Sequence, residues 1–223
     1  MPIKIAIINC YADEPKSAPS AQLFVDNIPI ATIVNHCHGE MIDDISKYDG
    51  YIISGSRSCH RNQDDWIIEL QKLIKEIHQK DIHCLAVCFG HQLVAHTFGG
   101  STVINLASEE GFQDVPTKMG EKHVKLFAEL PNFVKVYQSH SDAVMKAPPD
   151  SSHVIYNEKC VQYYQFGSIM SIQSHPEIDI VATKRFAKRD KKDEVTILNG
   201  VNEQNIQSYK ILKNFLKIVE NSI

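Results

Sequence analysis

The sequence predicts an α/β protein with a doubly wound, mostly parallel sheet flanked by helices and a small antiparallel extension. Short apolar runs that are typical of buried strands alternate with longer segments of helical periodicity, which is the order that a doubly wound sheet requires. Segment 64–79 carries its apolar residues in one helical stripe, and segment 83–87 is a short apolar run typical of a buried strand. Several short strands between about 101 and 172 predict the antiparallel extension.

The elements follow from periodicity and from turn residues, taken in chain order. No linker, repeat or low-complexity segment divides the chain, so we expect residues 1–223 to form a single domain. Strands are predicted at 3–9, 30–35, 50–54, 83–87, 134–139, 154–156, 161–165 and 169–173, and helices at 21–27, 64–79, 91–98, 178–189 and 203–221.

Composition narrows the class of function. The 223 residues are 43% hydrophobic and 22% charged, which is ordinary for a globular protein, and the net charge of −4 offers no electrostatic footprint for nucleic acid. No apolar run reaches the length of a membrane span, and Lys4 and Asn9 make the first apolar segment a strand rather than a signal peptide. We therefore expect a cytoplasmic protein with a small-molecule substrate, and six cysteines that remain thiols.

Cys88 stands where an apolar strand turns abruptly into a helix. Such a turn strains the backbone at its apex, aims the apical side chain out of the sheet edge and lays it beside the first free N–H groups of the helix. The positive end of the helix dipole favours a thiolate, the reactive form of cysteine. A buried structural cysteine is the alternative. Gly90, which permits close backbone approach, and the polar pair His91 and Gln92 favour a site.

Segment 168–177 supplies a base for such a thiol. It predicts a strand that ends in His175-Pro176-Glu177, where proline cannot continue the ladder. His175 therefore lies at the carboxyl end of a strand, where open α/β sheets place their ligands. Glu177 can orient the imidazole and stabilise the imidazolium. The sequence thus predicts a nucleophile, a base and an orienting carboxylate in Cys88, His175 and Glu177.

Two segments that combine cysteine and histidine, 35–38 and 59–60, suggest metal ligands. Neighbouring residues on a strand point to opposite faces, however, and no second ligand pair follows at a zinc-like spacing. Segment 54–58 also lacks the spacing and the lysine of a P-loop. We therefore expect no metal and no cofactor, and we expect that the chain does not use ATP by itself.

The segments Cys88-Phe89-Gly90-His91-Gln92 and Ser174-His175-Pro176-Glu177 resemble the two signatures of class I, triad-type glutamine amidotransferase domains. Between them, residues 137–144 resemble the family's substrate strand and loop, and upstream residues 51–58 resemble its oxyanion strand. Residues 108–115 resemble its Glu-x-Gly segment loosely. Four ordered matches over roughly residues 3–180 imply the flavodoxin-like fold of this family, and chance agreement of all four is improbable.

The resemblance implies a role for each matching position. Cys88 attacks the side-chain amide of glutamine, His175 passes a proton to the leaving ammonia, and Glu177 orients His175. The backbone N–H groups of Ser56 and Phe89 stabilise the tetrahedral oxyanion, with about 3 kcal/mol from each donor. Water then releases glutamate from the thioester. The residues implied to hold the α-amino and α-carboxylate ends of the substrate are Gln92, Ser58, Ser139, Ser141 and Asp142.

Two positions depart from the family pattern. Arg57 stands where many members have proline, and Ser141 replaces the common glycine of the substrate loop. These changes concern the substrate more than the mechanism. With them, the chain resembles the freestanding members of the family more than the glutaminase part of a biosynthetic synthetase. These freestanding members are similar to GMP-synthase glutaminases and to γ-glutamyl peptidases.

Three functions remain open at the level of the sequence. The first is a freestanding hydrolase of glutamine or of a γ-glutamyl compound. The second is a glutaminase subunit that delivers ammonia to a separate synthetase such as a GMP synthetase. The third is a non-catalytic binding or regulatory relative, which the intact triad argues against. The charge run 184–194 predicts a solvated helix end, with a docking site for an acidic partner as the alternative.

Overall fold

The computed structural model describes residues 2–120, 122–198, 200–202 and 205–223. In chain order its strands are β1 (Ile5–Ile8), β2 (Ala31–Val34), β3 (Gly50–Ile53), β4 (His83–Val87), β5 (Ser101–Val103), β6 (Glu109–Pro116), β7 (Lys118–Met119), β8 (Lys122–His123), β9 (Phe133–His140), β10 (Ala143–Lys146), β11 (Ser152–Tyr156), β12 (Val161–Phe166) and β13 (Ile169–Ile172). Its α-helices are α1 (Pro19–Asn27), α2 (Asp65–Gln79), α3 (Phe89–Thr97), α4 (Ile180–Arg189), α5 (Glu194–Ile197) and α6 (Tyr209–Glu220).

A seven-stranded sheet in the order β11-β12-β13-β4-β3-β1-β2 forms the centre of the fold. The five strands from β13 to β2 are parallel to their neighbours, and β11 and β12 continue the sheet in antiparallel pairing. Two-stranded antiparallel sheets join β5 to β10, β6 to β9 and β7 to β8. The predicted fold class is confirmed. The predicted antiparallel extension is partly a continuation of the main sheet, because β13 inserts beside β4 and carries β12 with it.

Helices cover both faces of the parallel strands, which explains why these strands are mostly apolar. Along β1, Ile5 and Ile7 lie in the core that contains α1 and α6, whereas Ala6 and Ile8 lie in the core that contains α2 and α3. Successive residues of a strand point to opposite faces, so both sets are buried and no polar alternation remains. Among the described residues, no helix has the length and apolarity that crossing a bilayer would require.

Most predicted elements appear with shifted ends. Strand 83–87 agrees with β4, and helix 64–79 agrees with α2 to within one residue. Helix 178–189 begins at Ile180 because the Asp179 carboxylate accepts a hydrogen bond from the Ala182 N–H at 2.7 Å, which caps the helix. Helix 203–221 begins at Tyr209, and residues 203–204 of that prediction lie outside the described residues.

The strands that the sequence did not predict are β5, β6, β7, β8 and β10. The longest of them, β6, pairs along its whole length with β9, from Glu109 opposite His140 to Pro116 opposite Phe133. Its residues include glycine, proline and several acidic or amide side chains, so no apolar alternation marks it as a strand. Pairing with a distant strand therefore decides its conformation.

The fold brings three strand ends to one edge of the sheet. Strands β3 and β13 both pair in parallel with β4, so their carboxyl ends lie side by side. Residues 54–58 follow β3, Cys88 follows β4, and His175 comes three residues after β13. The parallel sheet alone thus places the predicted site segments 51–58, 88–92 and 174–177 at this edge. Strand β9 brings the remaining segment, 137–144, to the same place.

Candidate active site

Cys88 occupies a strained backbone position between β4 and α3. It is the residue before the first turn of the helix and has φ 51° and ψ −100°, which is unusual for a residue with a side chain. Its N–H donates to the carbonyl of Ile172 at 2.9 Å, which holds the turn against β13. The next glycine is required by the packing, because a Cβ on Gly90 would lie 2.9 Å from the carbonyl oxygen of Ile53. Strain of this kind, about 1–3 kcal/mol, is typical of functional turns.

His175 and Glu177 form a buried pair beside this thiol. The Nδ1 atom of His175 lies 2.7 Å from Oε1 of Glu177, and the two side chains are 6% and 0% exposed. The His175 N–H donates to the carbonyl of Tyr137 at 2.8 Å, which fixes the backbone after β13. Burial lowers the pKa of His175, but the charge of Glu177 and the adjacent Cys88 thiol outweigh it and hold this pKa well above its usual value. The site therefore favours an imidazolium.

Gly55, after β3, and Tyr11, after β1, lie close to the imidazole ring. A Cβ on Gly55 would lie 2.7 Å from Cε1 of His175 and 2.8 Å from the hydroxyl oxygen of Tyr11, so only glycine fits there. Burial, followed by the charge of Glu177, raises the pKa of Tyr11 well above its usual value, and the phenol stays neutral. Neither residue was singled out in the sequence analysis, and the one signal for Gly55 is its place in the oxyanion-like segment.

One cavity of about 430 Å³ opens on one side of Cys88. Within its loop wall, Gln92 Nε2 donates to the carbonyl of Asp142 at 2.8 Å, and the Asn105 N–H donates to Oδ1 of Asp142 at 3.1 Å. On the opposite wall, the Ser58 N–H donates to the Ser56 hydroxyl at 3.0 Å. The predicted residues that line this cavity are Ser56, Ser58, Cys88, Gln92, Ser139, Ser141 and Asp142.

A second cavity of about 300 Å³ opens on the other side of the thiol and shares Ser56, Arg57, Cys88 and Ser139 with the first. His175 lines this second cavity. The other side chains of its wall combine both charge signs with apolar and aromatic groups, and they are Tyr11, Glu14, Ser20, Tyr137, Ile178, Phe186, Arg189, Asp190 and Lys192. Cys88 thus stands where the two cavities meet.

Part of the charge run 184–194 therefore belongs to the site rather than to a purely solvated helix end. Arg57 Nη1 lies 3.3 Å from Asp13, and its Nη2 lies 3.3 Å from Asp190, which ties the loop after β3 to the end of α4. Arg189 pairs with both Asp190, at 2.8 Å, and Glu14, at 3.6 Å. These pairs are partly exposed, so each contributes at most about 1 kcal/mol and can exchange partners.

The loosely matching segment 108–115 supports the loop of the first cavity. Glu109 is buried and accepts hydrogen bonds from His140 Nε2 at 3.2 Å, Asn157 Nδ2 at 2.9 Å and Gln162 Nε2 at 2.9 Å. Burial raises the pKa of Glu109, but the hydrogen bond from His140 and the other two donors outweigh it and lower this pKa below its usual value. Because His140 Nδ1 also lies 3.0 Å from the carbonyl of Asp142, the carboxylate orients the loop indirectly.

A family model described as "Glutamine amidotransferase class-I" matches residues 22–192, which is more than half of the chain. The chain belongs to the class I glutamine amidotransferase family. This confirms the resemblance that the four sequence segments indicate.

Two relatives of this chain have names that describe different activities. γ-Glutamyl peptidase 5 of Arabidopsis thaliana is 28% identical over 198 residues, which cover 80% of this chain and 78% of the relative. One subunit of the glutamine-hydrolysing GMP synthase of Archaeoglobus fulgidus is 26% identical over 140 residues, which cover 61% of this chain and 70% of the relative. The chain is thus similar both to a peptidase and to part of a synthase.

A solved structure of a glutamine amidotransferase from Thermotoga maritima superposes on nearly all of this chain. It covers 98% of both chains with a TM-score of 0.78 and 22% sequence identity. At this identity the match concerns the fold, which agrees with the sheet order and the flanking helices described above.

Proposed function

We propose that this family member is a cysteine hydrolase that cleaves the γ-amide bond of glutamine or of a γ-glutamyl compound through a thioester on Cys88. The observation that carries the proposal is the position of Cys88 between two cavities, with the His175–Glu177 pair on one side of it. A nucleophile, a base within hydrogen-bonding reach and a group that orients the base are the parts that thiol acyl transfer needs.

The two cavities correspond to the two halves of the substrate. When the thiol attacks the γ-carbon, the glutamyl group and the leaving group lie on different sides of that carbon. Gln92 and Asp142 line the first cavity, where their amide and carboxylate suit the α-amino and α-carboxylate ends of a glutamyl group. His175 lines the second cavity, so the group that receives its proton leaves on that side.

The reaction is balanced by one proton that moves through His175. The Cys88 thiolate forms a bond to the γ-carbon, and the oxyanion develops near the N–H groups of Ser56 and Phe89, the latter among the first N–H groups of α3 that have no partner in the helix. The imidazolium donates its proton to the leaving nitrogen as the C–N bond breaks. Water then attacks the thioester and His175 accepts its proton, so glutamate leaves with the Cys88 thiolate and the imidazolium restored.

The size of the second cavity favours a leaving group that is larger than ammonia. A water molecule, which is similar in size to ammonia, needs about 10–15 Å³ of cavity space, and the cavity has about 300 Å³. Its wall carries Glu14, Arg57 and Arg189 beside aromatic side chains, which suits an amino acid or peptide with its own amine and carboxylate. We therefore favour a γ-glutamyl peptide over free glutamine, in agreement with the named activity of the Arabidopsis relative.

A glutaminase subunit is the second candidate, because the chain is similar to one component of a GMP synthase. In that case the second cavity would open toward a separate synthetase that takes up ammonia. A freestanding hydrolase turns over without partners, whereas a subunit of this kind gains activity only when its synthetase is added.

The deciding experiment measures glutamate release by the purified chain alone, with glutamine and with γ-glutamyl dipeptides as separate donors and with Cys88→Ala as the blank. Release that depends on Cys88 and is faster from a dipeptide supports the peptidase. Release from glutamine but not from a dipeptide supports a freestanding glutaminase. Binding of a donor without release supports the glutaminase subunit, which needs its synthetase. If no donor releases glutamate and none binds, the hydrolase proposal is wrong and the non-catalytic alternative gains support.

A further inference from the structure

Cys59, His60 and Asp142 bring a thiol, an imidazole and a carboxylate together at the rim of the first cavity. One ligand atom of each lies within 4.8 Å of the others, and both Cys59 and Asp142 line the cavity. Three protein ligands of the N, O and S type, with a fourth position open to solvent, are the donor set of an accessible zinc site. We propose that this cluster binds Zn²⁺, with a water from the cavity as the fourth ligand.

His60 provides the observation that points to a ligand. Its side chain is fully buried, and its Nδ1 atom makes no hydrogen bond among the residues that the structure describes. An unsatisfied buried polar atom costs about 1–3 kcal/mol. Nε2 lies 2.8 Å from the Thr102 hydroxyl oxygen, and Nδ1 lies 3.6 Å from Oδ2 of Asp142. In the tautomer that carries its proton on Nε2, which is the form a metal at Nδ1 requires, the Nδ1 lone pair faces this carboxylate oxygen. Two acceptors that face each other at this distance are attracted to a shared cation.

The surroundings of the imidazole resemble those of a metal ligand. A metal-bound histidine normally donates its other ring N–H to an oxygen, which fixes the orientation of the ring. Thr102 offers that oxygen, and it is itself held by Arg61, whose Nη2 and Nε lie 2.8 Å and 3.2 Å away. Asp142 is likewise fixed through Oδ1 by the N–H of Asn105, which leaves Oδ2 free to bind.

The distances suit zinc after a small movement of one side chain. Tetrahedral bonds of about 2.0–2.3 Å separate the ligand atoms by about 3.5 Å, close to the 3.6 Å between His60 and Asp142. The thiol lies within 4.8 Å of the other two ligand atoms, so it has to approach them by roughly 1 Å at most. Cys59 is partly exposed in a loop, and a rotation about its side chain achieves this. On binding, the thiol gives its proton to solvent, and the thiolate forms the bond to the metal.

A second cluster, formed by Glu109, His140 and Cys160, has a similar composition, but its ligand atoms already have hydrogen-bond partners. The carboxylate of Glu109 accepts hydrogen bonds from four side chains, one of them the Cys160 thiol, and both ring nitrogens of His140 face oxygen acceptors. A metal would have to displace these hydrogen bonds. This cluster is therefore a satisfied polar network, and it serves as the control.

Zinc at the first cluster would interfere with the donor, a consequence that rests on the proposed function. Oδ2 of Asp142 would bind the metal instead of the α-amino group of the glutamyl donor, and the metal-bound water would enter the first cavity. We expect inhibition that is competitive with the donor. The expectation of no metal from the sequence considered local spacing alone, and the third ligand comes from the loop between β9 and β10.

The test uses Co²⁺ as a spectroscopic probe on the full, reduced and metal-free chain. We expect one bound Co²⁺ with a thiolate-to-cobalt charge-transfer band, and displacement of this ion by Zn²⁺. Cys59→Ala should abolish the band and weaken Zn²⁺ binding by at least about tenfold. Asp142→Asn should weaken binding with the band retained. Cys88→Ala and Cys160→Ala, the matched thiol controls, should keep both the band and the affinity.

Several results would overturn the proposal. They are a wild-type chain that binds no Co²⁺, a Cys59→Ala variant that binds like wild type, and a band that disappears in Cys88→Ala or Cys160→Ala instead. Thermal melting of the metal-free variants separates a lost site from a lost fold. Because the band does not depend on turnover, a failure of the hydrolase proposal would appear as missing glutamate release while the metal site stands.

Discussion

Replacement of Glu177 by glutamine removes one negative charge from His175 and keeps the shape of the side chain. The carboxylate lies 2.7 Å from Nδ1, and both groups are buried. Burial lowers the pKa of His175, while the charges of Glu177 and Cys88 raise it to a level well above the usual value. In Glu177→Gln the burial remains and the largest opposing charge is lost, so this pKa must fall.

The size of the change follows from the distance. Two unit charges whose centres are about 4 Å apart interact by about 4 kcal/mol at an effective dielectric constant of about 20, which equals about 3 pKa units. Opposite charges at this range shift measured pKa values by about 1–3 units. In the proposed mechanism His175 donates a proton as imidazolium, so activity is lost as the pH rises through its pKa. We therefore expect the alkaline limb of kcat/KM to move at least about 1 unit toward acid in Glu177→Gln.

The assay is glutamate release as a function of pH for wild type, Glu177→Gln and Glu14→Gln. Glu14 lines the second cavity and pairs with Arg189, so Glu14→Gln removes an equal charge from the same site. Its alkaline limb should stay in place. Superimposable profiles for wild type and Glu177→Gln would refute the reasoning, and equal shifts in both variants would assign the effect to the general field of the cavity.

Four further substitutions test the site. Cys88→Ser should reduce kcat by at least about 1,000-fold because an alcohol replaces the proposed nucleophilic thiol. Cys84 is buried on β4, so Cys84→Ala should keep most activity and lose about 1 kcal/mol of unfolding free energy. The opposite pattern would exchange the roles of the two cysteines. Gly55→Ala should reduce kcat by about 100-fold, since its Cβ would lie 2.7 Å from the His175 ring, and unchanged turnover in a folded variant would contradict the packing. Asp142→Asn should raise KM for the donor about tenfold with kcat nearly unchanged, as expected for lost ground-state binding, and a fall in kcat alone would place Asp142 outside the donor site.

The sequence predicts well those parts of the fold that depend on local pattern. Strand β4 and helix α2 are visible because an apolar run and a helical stripe are local properties of the chain. Strand β6 is not, since its conformation depends on pairing with β9. The end of α4 illustrates the same limit: its charge run predicts solvated side chains, and only the approach of the loop after β3 turns Arg189 and Asp190 into the wall of a cavity.

By itself, the sequence determined the fold class and the turn that carries Cys88, because apolar periodicity and a strand-to-helix turn are encoded by neighbouring residues. It also predicted His175 as a base and Glu177 as its orienting carboxylate, through a motif in which the two lie two residues apart. Only the tertiary structure decided that two cavities meet at the thiol and that Gly55 and Tyr11 lie close to the imidazole. It likewise placed Asp142 beside His60. These contacts join segments that are distant in the sequence, so they depend on how the strands and loops pack.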